Sequence, residues 1–257
     1  MEKQKLLDLF HQELRVEANV QGYIKEETDH VIRYMSELGE RNFILSSNLN
    51  EHNAKQVINH EALYFKELNR ELEWKVYSYD QPENIKELLQ DEGFILEVPE
   101  ALMVLDIKQY NLTSSNDVIV TEITDKQGID DIVALEDKIW NDSHSELGER
   151  LWRDKQNNPN SIFLYGIYKD EQLVSAAWMY LERNASFASL WGGSTLPEYR
   201  RKGYYQALIQ ARAAKALEYG YPFLTVDASK MSKPILENNG FICLTYSYPC
   251  VLTAKRS

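Results

Sequence analysis

Cysteine is scarce in this chain of 257 residues. The two present, Cys243 and Cys250, stand in an apolar stretch with six residues between them. That spacing fits no metal-ligand pattern, so no metal is expected, and a reduced, cytoplasmic protein is the simple expectation. Glycine (11) and proline (7) are too few for a low-complexity or linker-dominated chain. No apolar run approaches the length of a membrane span, and a polar, charged segment follows Met1, so neither a membrane partner nor a secretory leader is expected. Positive charge is also in deficit, with 28 Lys and Arg against 40 Asp and Glu, a net of −12. The deficit is uneven: residues 1–112 hold 12 cations against 22 anions, leaving 16 against 18 for the rest. Phosphate contacts need a basic face, so a nucleic-acid partner is not expected. An acidic body suits an amine-bearing partner, and it is also a common solubility device.

What is present is a sizeable apolar fraction, 44%, in helix-like and strand-like periods. Residues 2–18 read as a helix through Leu6, Leu7, Phe10 and Leu14. "HVIRYM" and "NFILSS" read as strands, and Val57, Ile58, Ala62, Phe65 and Leu68 set a second helix. "EWKVYSY" is a strand, "PENIKELLQDEGF" a helix between Pro82 and Gly93, and "ALMVLDI" a strand. The polar stretch 110–118 is the linker candidate. Beyond it come the strand "VIVTEIT", two helices, the hairpin "SIFLYGIY"/"LVSAAWMYL" and a third strand, "SFASLWGGST". A helix after Gly203 follows, then "FLTVDA", a short helix, and the strands "ICLTYSY" and "CVLTA". "LQDEGFI" (89–95) and "LENNGFI" (236–242) match at Leu, Gly, Phe and Ile, each after a strand and a short helix. With Pro99 and Pro249 in the two tails, the pattern points to a diverged duplication, although a helix ending before Gly-Phe is unremarkable alone.

One loop carries chemistry. In "LPEYRRKGYYQALIQARAAKALEYG" three cations, Arg200, Arg201 and Lys202, precede Gly203 at a helix start. Cations there oppose the helix dipole. An anion at the free N–H groups of the helix start, close to a glycine without a side chain, reconciles them. Gly192 and Gly193 leave the strand before the loop with little side-chain cover. The dinucleotide and P-loop glycine patterns are missing. The corresponding turn of the first half, "SSNLNEHNAKQ", has neither glycine nor arginine.

"PEYRRKGYYQALI" resembles the acyl-CoA-binding motif of the GNAT-type N-acetyltransferases (R/Q-x-x-G-x-G/A) at Arg200 and Gly203, with Tyr205 at the last small position. "VDASKMSKPILENNGF" resembles that family's next motif. The resemblance covers about 117–257; the first half resembles a degenerate copy. It implies an α+β fold of two GNAT-like domains, 1–112 and 113–257, each a mixed sheet flanked by helices. It also implies transfer of an acetyl group from acetyl-CoA to a primary amine by direct attack. Gly193, Ser194, Thr195, Arg200, Arg201, Lys202, Gly203, Tyr204, Tyr205, Ser229 and Ser232 would hold the acetyl-CoA. The acceptor would be a small molecule or peptide. Leu236 stands where many members carry the Tyr that protonates the thiolate. Tyr246, Tyr248, Ser232 and Asp227 are the nearby replacements. Asp227, at the end of a central strand, is a base candidate or a turn cap. Asp142, His144 and Glu146 read as acceptor contacts or as exposed loop polarity. A CoA-binding module without turnover, which Leu236 favours, and an acidic docking protein are the alternatives.

Overall fold

A computed structural model describes residues 2–112 and 118–254. In the first half, helix α1 (Lys3–His11) runs on through a wider turn, Gln12–Val16. Strands β1 (Tyr23–Glu27), β2 (Val31–Ser36) and β3 (Asn42–Ser47) follow, then α2 (Ala54–Leu68), β4 (Leu72–Tyr77), α3 (Ile85–Asp91), β5 (Ile95–Leu96) and β6 (Glu100–Asp106). The second half holds β7 (Thr121–Ile123), α4 (Lys126–Trp140), α5 (Ser145–Asn157), β8 (Ile162–Lys169), β9 (Gln172–Leu181) and β10 (Phe187–Thr195). It ends with α6 (Tyr204–Glu218), β11 (Phe223–Ala228), α7 (Lys233–Asn238) and β12 (Ile242–Leu252). The fold is mixed α+β.

Two readings of the sequence change. The charged strand β1 has no alternating pattern and is not legible. The two expected final strands are one strand, β12. The core of the expected linker, 113–117, lies outside the described residues.

The strands form one sheet in the order β1-β2-β3-β4-β12-β6-β11-β10-β9-β8-β7, with β5 on β12. Its centre is a reciprocal exchange. Strand β6, from the first half, pairs antiparallel with β11 from Phe223↔Asp106 to Ala228↔Ala101. Strand β12 pairs first with β6, ending at Ser247↔Glu100, then runs beside β4 as far as Leu252↔Leu72 and takes β5 at Cys250↔Leu96. Pro99 separates β5 from β6, and Pro249 sits where β12 leaves β6 for β5, places where a missing N–H interrupts least pairing. Helix α1 lies across this seam, packing Leu6 and Phe10 with Tyr77, Leu102, Phe187 and Phe223.

The Gly-Phe echo is a repeated structure. The N–H of Phe94 donates to the Leu89 carbonyl and that of Phe241 to the Leu236 carbonyl, both at 3.1 Å. Gly93 and Gly240 take φ of 94° and 85°. Both leucines and both phenylalanines are buried. These are two copies of a left-handed helix stop.

Candidate functional site

Strands β10 and β11 run parallel but pair only from Phe187↔Phe223 to Ser189↔Thr225. Beyond that point β10 continues to Thr195 and β11 to Ala228 without facing each other in the ladder, so the sheet opens at their C-terminal ends, where open sheets place ligands. The other edge of β10 stays on β9, with a bulge between Gly192 and Ser194. Gly192 and Gly193 hold φ of 66° and 93°. A Cβ on Gly192 would stand 2.3 Å from the Trp178 ring, and one on Gly193 2.9 Å from the Tyr205 ring. Backbone amide groups in the gap need partners from outside the sheet.

The first half has a comparable opening. Strands β3 and β4 pair in parallel only from Asn42↔Leu72 to Ile44↔Trp74. There the chain supplies its own occupant. Arg15, 1% exposed, donates from Nε to the Leu45 carbonyl at 2.6 Å and through both terminal nitrogens to Asp80 at 2.8 Å. Burial opposes its charge, but Asp80 outweighs burial and raises its pKa. One opening is plugged, and the strand β10 that borders the other leads into a run of cations.

Those cations lie directly before α6. Gly203 caps the helix at φ 79°, and nothing stands within 4 Å of where its Cβ would be. Arg200, Arg201, Lys202 and Gly203 are exposed. Arg200 is turned toward the sheet, its Nε donating to the Thr195 carbonyl at 3.1 Å. Arg201 holds a left-handed φ of 63°. Lys202 lies over the Tyr199 ring, 4.6 Å from its centroid, and Tyr199 stacks on Tyr204. Tyr205 does not crowd this cradle, because its ring lies against Gly193. Helical spacing puts Tyr205, Leu208, Ile209, Ala213, Ala216 and Leu217 on the inward stripe of α6, but Tyr204 is buried more fully than Tyr205, Leu217 is 41% exposed, and Arg212 is buried. Ser194 and Thr195 are tied to β9, since the Ser175 hydroxyl donates to the Ser194 carbonyl at 3.0 Å and meets Thr195 Oγ1 at 2.7 Å.

Arg212 fixes the orientation of the bulge. Its Nε donates to the Leu208 carbonyl, and its Nη1 reaches the carbonyls of both Trp178 and Trp191, at 3.3 and 3.4 Å. Trp178 and Trp191 face each other across β9 and β10. One nitrogen reaches both oxygens only if both carbonyls point into the space between these two strands. A trans peptide sends its N–H opposite to its C=O. The Gly192 N–H therefore points away from β9, toward β11 and into the gap.

At the far wall of the gap, Asp227 Oδ2 accepts from Lys75 Nζ at 2.6 Å, and Ser247 Oγ lies 3.4 Å from Oδ1. Glu100 stands 3.7 Å from the same lysine. These four residues come from the four adjacent strands β11, β4, β12 and β6. Burial opposes the charge on Lys75, but Asp227 and Glu100 overcome it and raise its pKa. Burial also raises the pKa of Glu100, with Asp227 adding to the effect and Lys75 opposing it. Tyr246 is not part of this cluster. It pairs with Ala101, whereas Asp227 pairs with Leu102, so Tyr246 and Asp227 occupy opposite faces of the sheet. Ser229 and Ser232 form the turn after β11, their hydroxyls 3.1 Å apart. Leu236 is fully buried.

His144 is tied back to helix α4: its backbone N–H and Nδ1 both meet Asp137 Oδ1, at 2.6 and 3.0 Å. Trp178 is core, whereas Trp140 and Trp191 are exposed. Cys250 is buried, which pushes its thiol up to about 12. A cavity of about 430 Å³ between Glu122, Lys155, Phe163 and Lys215 lies at the opposite end of α6 from the cation loop. Sequence reasoning missed Lys75, Glu100 and Arg212. The first two belong to the half without the loop and reach the gap only through strand exchange. Arg212 carried a signal: a cation on the apolar stripe of its helix.

Residues 129–241 match the acetyltransferase (GNAT) family. An uncharacterized N-acetyltransferase of Bacillus pumilus (strain SAFR-032) is 34% identical over 79 residues, 27% of this chain. The match spans 46% of that relative's length. Among solved structures, a GCN5-related N-acetyltransferase from Kribbella flavida superposes with a TM-score of 0.68 at 12% identity, covering 96% of this chain and 94% of its own. A tandem GNAT protein from the clavulanic acid biosynthesis pathway gives 0.64 at 9% identity, covering 94% and 86%. A conserved protein of unknown function from Staphylococcus epidermidis ATCC 12228 gives 0.65 at 14%, covering 95% and 98%. At these identities the likeness is one of fold, and it extends over both halves.

Proposed function

We propose, from the match of residues 129–241 to the GNAT acetyltransferase family, that this chain transfers an acetyl group from acetyl-CoA to a primary amine. The observation that carries the reading is the opening of β10 from β11 beside the cationic helix start. One end offers free amides and three cations for a pyrophosphate; the other offers an unpaired strand edge for an extended arm. On this reading the amides of 201–205 and the side chains of Arg200, Arg201 and Lys202 hold the phosphates. Gly193, Ser194 and Thr195 line the arm, with Ser229 and Ser232 opposite. Residues 1–112 act as a degenerate GNAT-like domain and 113–257 as the acetyl-CoA-binding one, with Arg15 occupying the cleft of the first.

In the transfer, the amine lone pair forms the N–C bond and the carbonyl electron pair moves onto oxygen, facing the Gly192 N–H. That pair returns as the C–S bond breaks and the thiolate leaves. The proton lost by the amine goes to Asp227, directly or through water, and Tyr246 on the other face donates a proton to the departing thiolate. The acceptor is a small-molecule or peptide amine.

Calorimetric titration with acetyl-CoA tests the reading. One-to-one binding supports it, and no binding at millimolar ligand overturns it. A second reading, a CoA-binding module without turnover, draws on the Lys75–Asp227 pair, which occupies the base candidate, and on Leu236. Binding without product across a broad amine panel would select it.

A further inference from the structure

Arg212 sits in the middle of α6 among Leu208, Ile209, Ala213 and Ala216, and is 2% exposed. Among the described residues no carboxylate pairs with it; its partners are the carbonyls of Leu208, Trp178 and Trp191. Burial pushes its pKa down to about 10, with Tyr205 and Tyr165 opposing. A charge taken out of water without a counter-charge costs free energy, which a leucine or methionine here would avoid. Arg15, the other fully buried arginine, has Asp80.

The two carbonyls that hold Arg212 belong to the strand pair that carries the bulge. A carbonyl bonded to a guanidinium withdraws electron density from its own peptide, and the N–H at the other end becomes a stronger donor. Here that N–H is Gly192's, directed into the gap. We propose that Arg212 is a positioning residue for acetyl transfer: it locks the Trp191–Gly192 peptide with its N–H toward the gap and polarises it toward the thioester oxygen. The buried charge gains its counter-charge when that oxygen becomes negative, as the amine adds and before the C–S bond breaks. The transition state is thus favoured over the bound thioester.

This inference rests on the acetyl-CoA reading above, and one experiment separates the two. Acetyl-CoA labelled with ¹³C at the thioester carbonyl is bound to the wild type, Arg212→Met and Arg212→Lys, and the carbonyl stretch is read by isotope-edited infrared spectroscopy. Binding to each variant is measured by calorimetry. The expected result is acetyl-CoA affinity within about twofold across the three proteins, thermal stability of Arg212→Met equal to or above wild type, and a carbonyl stretch lowered in wild type, partly lowered in Arg212→Lys and not lowered in Arg212→Met. With any amine that wild type acetylates, kcat should fall roughly 10- to 100-fold in Arg212→Met with KM for acetyl-CoA unchanged. An identical stretch in wild type and Arg212→Met, both with ligand bound, would overturn the role of Arg212 and leave the acetyl-CoA reading standing. Should Arg212→Met not fold, a stretch in Arg212→Lys equal to that of wild type, where a partial loss is expected, would overturn it equally. Wild type that binds no acetyl-CoA would remove both.

Discussion

Lys75 and Asp227 lie 152 positions apart in the chain and meet at 2.6 Å, one from each half, across the strands exchanged between them. The lysine also serves Glu100 at 3.7 Å, so one cation balances two carboxylates at the wall of the proposed site. Lys75→Met should therefore cost stability by leaving both carboxylates without a counter-charge. Breaking a buried pair costs about 3–5 kcal/mol. Because the Asp227 side chain is 29% exposed, solvent screening brings the expected loss to about 2 kcal/mol. Asp227→Asn should cost less, since Lys75 retains Glu100. Urea midpoints of the two variants check the order. If Asp227 is the base, Asp227→Asn should also lower kcat while acetyl-CoA affinity holds.

The raised pKa of Glu100 gives a pH dependence with a definite sign. A carboxyl group that binds its proton more tightly when folded favours folding fully below its ordinary value of 4.5, and this contribution is lost as pH rises through the folded-state value. Glu100→Gln cannot lose a proton. Relative to wild type it should gain stability between mildly acidic pH and neutrality, and the difference should shrink below pH 4.5. Melting curves of both proteins across that range would show it. A difference that grows toward acid would mean that the pairing with Lys75, not burial, governs the group.

Two glycines of the site should respond oppositely. Gly192→Ala places a methyl 2.3 Å from the Trp178 ring at φ 66°. Strain at such a φ costs about 1 kcal/mol and core overpacking a further 1–3 kcal/mol, so the urea midpoint should drop markedly. Gly203→Asp meets nothing within 4 Å, and aspartate tolerates a left-handed φ better than most residues. The fold should survive with little change in midpoint while acetyl-CoA affinity falls at least roughly tenfold, as a carboxylate faces the pyrophosphate. Unchanged affinity in Gly203→Asp would remove the loop from the ligand site.

What the sequence makes legible here is local. Cations before Gly203 at a helix start, the Gly-Gly pair in a strand and the two Gly-Phe stops are each set by a few neighbouring residues, and the structure contains all of them. Tyr205 illustrates the boundary: helical spacing points its ring inward, but only the close approach of Gly193 shows what receives it. The Lys75–Asp227 pair could not be read, because it depends on which strand edges meet. Nothing in "ALMVLDI" says that it leaves its own half to line β11. Strand β1, with three charged residues among five, is a strand only because β2 pairs with it along its length.

The exchanged strands make the two halves mutually dependent, which a fragment experiment can expose. Residues 1–112 alone would lack β12, which pairs with β4 over six residues and with β5 over two. Strand β6 would likewise lose both neighbours, β11 and β12, exposing Met103 and Val104, which are fully buried in the intact chain. Unpaired apolar strand edges favour aggregation over independent folding. The fragment 118–257 would lose β6 from between β11 and β12 and be no better placed. Each fragment expressed alone should therefore be insoluble or show the spectrum of an unfolded chain. Co-expression should recover a soluble complex, since the exchange needs no covalent link between halves. Circular dichroism and size-exclusion chromatography of the separate and combined fragments decide it. A cooperatively folded 1–112 fragment would mean that the first half closes its own sheet, with β6 returning to the place that β12 fills in the intact protein.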